Sequence, residues 1–93
     1  MIVIWTPEAE QDRADIMDFI AADSPSAAIH MDQLFGEAAA RLAHHPFMGK
    51  PGQRPDTREL IPHPSYRLVY AVNQDTVWVL TLIHTARLWP SAA

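Results

Sequence analysis

Arg67, His84 and Arg87, with Arg58 and Tyr66 or Tyr70 nearby, are the residues of this chain whose types and spacing could do chemistry. Guanidinium groups bind phosphate oxygens bidentately and stabilise charge as it develops. An imidazole exchanges protons near neutral pH. Two arginines and a histidine, without cysteine or metal, suit cleavage of RNA by attack of its own 2′-hydroxyl. A structural reading of the same residues stands beside this one. In it, Arg58 pairs with Glu59 or Asp56, Arg67 answers an acid of the helices, and His84 closes a strand. The period-2 alternation of a strand does not put His84 and Arg67 clearly on one face.

Other chemistries lack their parts. There is no Gly-rich phosphate loop, nucleophile elbow or zinc spacing. His30, His44, His45, His63 and His84 are scattered, and the adjacent pair His44-His45 would point in different directions from a helix. No metal and no cofactor are expected.

The elements that position these residues follow from local signals. Ile2-Val3-Ile4-Trp5 is a short apolar run and reads as a buried strand. Thr6 can cap a helix and Pro7 suits its first position, with Glu8 and Glu10 favouring the positive end of the dipole. The first helix should run from Pro7 to Ala21 or Ala22. Ala9, Ile16, Phe19 and Ile20 form its inner stripe, and Glu8, Asp12, Asp15 and Asp18 its wet side. Asp23-Ser24-Pro25 repeats the entry signal. The second helix should run from Pro25 to His44, with Ala28, Met31, Phe35, Ala38 and Leu42 inside. The stretch from Pro46 to Asp56 carries three prolines and two glycines, which precludes a regular element.

Three strands close the pattern: Thr57 to Ile61, Tyr66 to Val72 and Thr76 to His84. Pro62-His63-Pro64 blocks the first from extending. Asn73-Gln74-Asp75 is the turn between the other two, so that Val72 faces Thr76, Tyr70 faces Trp78, Leu68 faces Leu80 and Tyr66 faces Leu82. The chain is therefore expected to be α+β in the order β-α-α-β-β-β. An antiparallel two-helix hairpin would pack on one face of a small, mostly antiparallel sheet.

The totals agree. Ninety-three residues, 48% of them hydrophobic, suit one domain, here 1–93. No apolar run approaches a membrane span, and the first residues lack the basic and long apolar regions of a signal peptide. The absence of cysteine excludes disulfides and fits a reducing cytoplasm. The net charge of −4 is unevenly spread. Residues 1–45 hold eight acids and two bases, residues 46–93 three acids and five bases. Two faces with different partners are expected, and little direct affinity for nucleic acid.

In order and spacing, several segments resemble the toxins of the RelE/ParE superfamily from bacterial type II toxin–antitoxin systems. They are Trp5-Thr6-Pro7-Glu8-Ala9, Ser24-Pro25 with Ala27-Ala28, and Leu42 followed by Pro46 and Gly49. Thr57-Arg58-Glu59-Leu60, Tyr66-Arg67-Leu68-Val69-Tyr70, and His84 through Arg87 to Trp89-Pro90 complete the set. The Ser24-Pro25 entry, Pro46 to Gly49, Thr57 to Leu60 and the Trp-Pro ending are closer to the ParE branch. The resemblance implies the toxin of a plasmid-stabilisation type module, neutralised by a cognate antitoxin. ParE-like members poison DNA gyrase, and that is the target expected here. RelE-like members cut mRNA on the ribosome, with an Arg in the Tyr-Arg-x-x-Tyr strand and another after the last strand, positions matched by Arg67 and Arg87. The RelE pattern also has basic residues on the preceding strand and a Tyr near the C-terminus, where this chain has Thr57, Glu59, Ala92 and Ala93. Under the nuclease alternative Arg67, Arg87 and His84 are the catalytic set. Otherwise Arg58, Arg67, Tyr70, Arg87 and Trp89 are contacts for antitoxin or target. A third alternative is an inactive homologue that only binds an antitoxin.

Overall fold

In the computed structural model, which describes residues 1–85, the chain forms β1 (Ile2–Trp5), α1 (Pro7–Ala21), α2 (Pro25–Arg41), β2 (Lys50–Pro51), β3 (Arg58–His63), β4 (Tyr66–Asn73) and β5 (Thr76–His84). The strands make one sheet in the order β1-β5-β4-β3-β2, parallel only between β1 and β5. The two helices pack on it, and the fold is the expected α+β arrangement with one added two-residue strand.

Both helix starts are built as their sequences dictate. The Thr6 hydroxyl accepts from the Ala9 N–H at 3.2 Å, and the Ser24 hydroxyl from the Ala27 N–H at 3.2 Å, each followed by a proline at the first helical position. The helices are tied by Arg13, whose guanidinium forks onto the Asp32 carboxylate while lying 4.7 Å from the centre of the Trp5 ring. The core gathers Ala9, Phe35 and Ala39 from the helices and Leu42 just after α2 against Tyr66, Leu68, Tyr70, Val77, Val79 and Leu82 from the sheet.

Several expectations are corrected. β1 is an edge strand rather than a buried one, with Ile2 and Ile4 exposed. Phe19 is not in the inner stripe but 77% exposed. α2 ends at Arg41 rather than His44. Leu42, Ala43 and His44 then bond three residues back, to Ala39, Ala40 and Arg41, so the last turn tightens before Pro46. Lys50-Pro51 does pair, against Glu59 and Arg58, as a sheet edge where a proline needs no partner. β3 starts at Arg58 and continues through Pro62 to His63, its register shifting between Leu60 and His63 to absorb the proline.

The largest correction concerns β4 and β5. Their turn has two residues, Gln74 and Asp75, with Gln74 at φ 58°, so Asn73 faces Thr76. Val72 therefore faces Val77 and Tyr70 faces Val79, while Trp78 faces Ala71 on the other side of the sheet. A bulge at Leu80 then shifts the register again, so that Leu68 faces Leu82 and Tyr66 faces His84. The bulge has a tertiary partner. Pairing of β1 with β5 stops at Trp5 and Val79. Just beyond, the Asp12 carboxylate accepts from the Thr81 hydroxyl at 2.7 Å and from the Leu82 N–H at 3.2 Å. Asp12 thus closes the edge of β5 that β1 is too short to cover. It is no member of a solvated row.

Candidate functional site

β4 carries expected site residues at its start and in its second half, and their surroundings are built differently. At its start Tyr66 is buried beneath the helices, edge-on to Phe35 at 5.5 Å and to His84 at 5.7 Å between ring centres. His63 lies 6.3 Å from the same ring and accepts the Ser65 N–H on Nδ1 at 3.1 Å. Arg67, the next residue, faces Ile83 and so turns to the opposite side of the sheet from His84. There its Nη1 lies 3.6 Å from the Glu59 carboxylate, with the two side chains only 11% and 6% exposed. Val69 and Thr81, between and beside them, are buried too. Arg67 thus pairs with an acid of β3, not of the helices, and an ion pair this shielded carries little net field.

Further along β4 the Tyr70 hydroxyl is buried and accepts the Gly49 N–H at 3.0 Å. Burial pushes the Tyr70 phenol above its ordinary range, against the opposing pull of the Gly49 N–H and of the Arg58 charge. Gly49 has no room for a side chain: a Cβ there would lie 2.7 Å from both the Glu59 carbonyl and the Tyr70 hydroxyl. Arg58 stands opposite Tyr70 in the register. Its Nη1 donates to the carbonyls of Gly49 at 2.7 Å and Phe47 at 3.2 Å, and its guanidinium lies 5.1 Å from the Phe47 ring centre. Arg58 therefore pairs with neither Glu59 nor Asp56 but holds the loop after α2, which the loop's composition alone does not reveal. Beside it opens a cleft of about 300 Å³ lined by Phe47, Pro51, Asp56, Thr57, Arg58 and Val72.

The residues expected to act together are thus separated. Arg58 with Tyr70, and Arg67 with Glu59, lie on opposite faces of the sheet although Arg58 and Glu59 are neighbours on β3, and His84 shares the Tyr66 side. Arg87 and Trp89 lie outside the described residues. Among the described residues no group of three or more histidines and acids could hold a metal ion, and no helix is long and apolar enough to cross a membrane.

Comparison with known proteins places this scaffold. The sequence profile described as ParE toxin of type II toxin–antitoxin system, parDE, matches residues 3–89. The chain belongs to the ParE toxin family. It is 36% identical over 86 residues to a protein named Toxin RelE2 from Caulobacter vibrioides, a match covering 92% of this chain and 97% of the relative. Its fold is shared with a chain of a chromosomal ParDE system from P. aeruginosa. That match has a TM-score of 0.79, 22% identity, and coverage of 90% of this chain and 95% of the other. A YoeB/ParE toxin from Agrobacterium tumefaciens matches with TM-score 0.65 and 16% identity, over 90% of this chain and 98% of its own. The chain is thus a type II toxin of the RelE/ParE superfamily, and membership implies a cognate antitoxin.

Proposed function

We propose that this toxin acts in the cytoplasm by protein–protein contact with DNA gyrase and not by cutting RNA. The observation that carries this reading is the Arg67–Glu59 pair. A phosphate approaching Arg67 must compete with a carboxylate that is already in place and shielded from water. On the same stretch Thr57 and Glu59 stand where the nuclease pattern has bases, and His84 points away from Arg67 across the sheet. Removing Glu59 from Arg67 would cost the fold, so the pair is a poor starting point for catalysis. A purified supercoiling assay tests the reading. Inhibited supercoiling, or stabilised cleavage complexes, is the expected result, and full gyrase activity at saturating toxin overturns it.

A second reading rests on the name of the Caulobacter relative, Toxin RelE2. Under it Arg67 and Arg87 bind the scissile phosphate and His84 moves a proton, on the ribosome. It requires mRNA cuts in a translation extract that disappear in Arg67→Ala. An inactive homologue would be harmless on expression in a susceptible host while still binding its antitoxin.

A further inference from the structure

We propose that two copies of this chain associate through β1, the strands pairing antiparallel about a two-fold axis at Ile4 so that the two sheets become one. This goes beyond the proposed target and does not depend on it.

The two edges of the sheet are finished differently. β2 has two residues, a lysine and a proline, and both types guard an edge against further pairing. β1 has four residues, with no charge and no proline, in unbroken register with β5. Its backbone is set for a neighbour. The Ile2 N–H donates to the Asp75 carbonyl at 3.1 Å and the Thr6 N–H to the Val79 carbonyl at 3.0 Å, so the even-numbered residues bond to β5. Alternation turns the N–H and C=O of Val3 and Trp5 to the open edge. With the axis at Ile4, Val3 of each copy meets Trp5 of the other, and both backbone groups of both residues find a partner.

The side chains select the occupant. Val3 and Trp5 pack on the core, whereas Ile2 and Ile4, 60% and 37% exposed, lie on the side away from the helices. Ile4 there neighbours Trp78, which is exposed as well. A partner strand must be apolar on that side, and β1 is: the two-fold sets Ile4 against Ile4 and joins the two apolar strips. Charge favours the same occupant. From Ile2 across Trp78 to Ala71 the register places no charged residue on this side, and the Arg67–Glu59 pair farther along it is internally neutral. A strongly charged partner gains nothing here, whereas two acidic chains can meet at a neutral edge. Covering these strands and side chains buries on the order of 1,000 Å² in the two copies together, the lower limit of a specific interface, so the dimer is reversible. The pairing uses the same patch twice and closes the assembly at two copies. It leaves β2, and the cleft beside Arg58, toward the outer edges of the joined sheet.

Sedimentation equilibrium of the purified toxin, joined to amide hydrogen exchange at low and high protein concentration, tests this. A monomer–dimer equilibrium is expected, and salt should strengthen the dimer because each chain carries a net charge of −4. The Val3 and Trp5 amides should exchange more slowly as dimer forms, and those of Ile2 and Ile4, already directed at β5, should change less. Ile4→Lys sets two lysines face to face at the axis and should raise the dissociation constant at least about tenfold. Ile2→Lys, at the more exposed position, should weaken the dimer while leaving the melting temperature of the monomer unchanged. A monomer at every concentration overturns the proposal. So does a dimer that survives both lysines, one that forms without slowing the Val3 and Trp5 amides, or one lost only as the variants unfold. If those amides slow only when the protein encoded in the adjacent reading frame is added, the edge belongs to the antitoxin and the proposal falls. A dimer with the expected properties and no effect on supercoiling upholds the proposal and overturns only the gyrase reading.

Discussion

The two faces of the β3–β4 pair each hold an arginine, by opposite means. Arg67 meets a carboxylate, Glu59, in a place where neither side chain reaches much water. Arg58 meets two backbone carbonyls and an aromatic ring. A carboxylate cancels a guanidinium's charge, whereas carbonyl dipoles orient it and leave the charge standing. The residue that matches a nuclease arginine by sequence is thus the muted one. The residue that organises a loop keeps its positive charge.

Replacing one side of each arrangement should sharpen the contrast. The largest effect belongs to Arg67→Ala, which strands the Glu59 carboxylate. A loss of about 3 kcal/mol in urea unfolding is expected. The double change Arg67→Met with Glu59→Leu should recover most of it, because two apolar side chains of similar volume need no partner. If the double variant is no more stable than Arg67→Ala, the pair is not what holds this face. Next comes Gly49→Ala. A Cβ would press on the Glu59 carbonyl and the Tyr70 hydroxyl, so about 2 kcal/mol should be lost, and the Phe47 loop should show faster amide exchange. Asp12→Ala leaves the Thr81 hydroxyl and the Leu82 N–H without their carboxylate acceptor. It should cost about 2 kcal/mol by thermal melting.

The smallest effect is Tyr70→Phe, about 1 kcal/mol at neutral pH from the lost Gly49 bond. This variant also carries a pH signature. The native phenol titrates above the unfolded one, so its contribution is complete below about pH 10 and is lost as pH rises through the native value. Wild type should therefore lose stability at alkaline pH more steeply than Tyr70→Phe. Parallel stability curves for the two would contradict the burial of the hydroxyl.

How far the sequence reveals this molecule depends on how local each cause is. The entries of α1 and α2 are legible because Thr6-Pro7 and Ser24-Pro25 act within one turn. The α2 stripe is legible because Ala28, Met31, Phe35, Ala38 and Leu42 all meet the core at helical spacing. Phe19 breaks the pattern, since an apolar residue on a narrow helix face can as well look outward. The faces of β5 are misread for two compounding reasons. The turn is one residue shorter than it looks, and the bulge at Leu80 is stabilised by Asp12, 69 residues from Thr81 in sequence. Periodicity cannot see such a partner. For the same reason the spacing of Arg58, Arg67 and His84 places them in one stretch but not in one site. Arg87 and Trp89, the remaining members of the expected set, lie outside the described residues.

On the proposed reading the toxin works without Arg67 chemistry. The direct measurement compares wild type with the Arg67→Met, Glu59→Leu double variant in two assays, gyrase supercoiling and mRNA cleavage on ribosomes. Both proteins should inhibit supercoiling to a similar extent, and neither should cut mRNA. Codon-positioned cleavage by the wild type, abolished in the folded double variant, would contradict it.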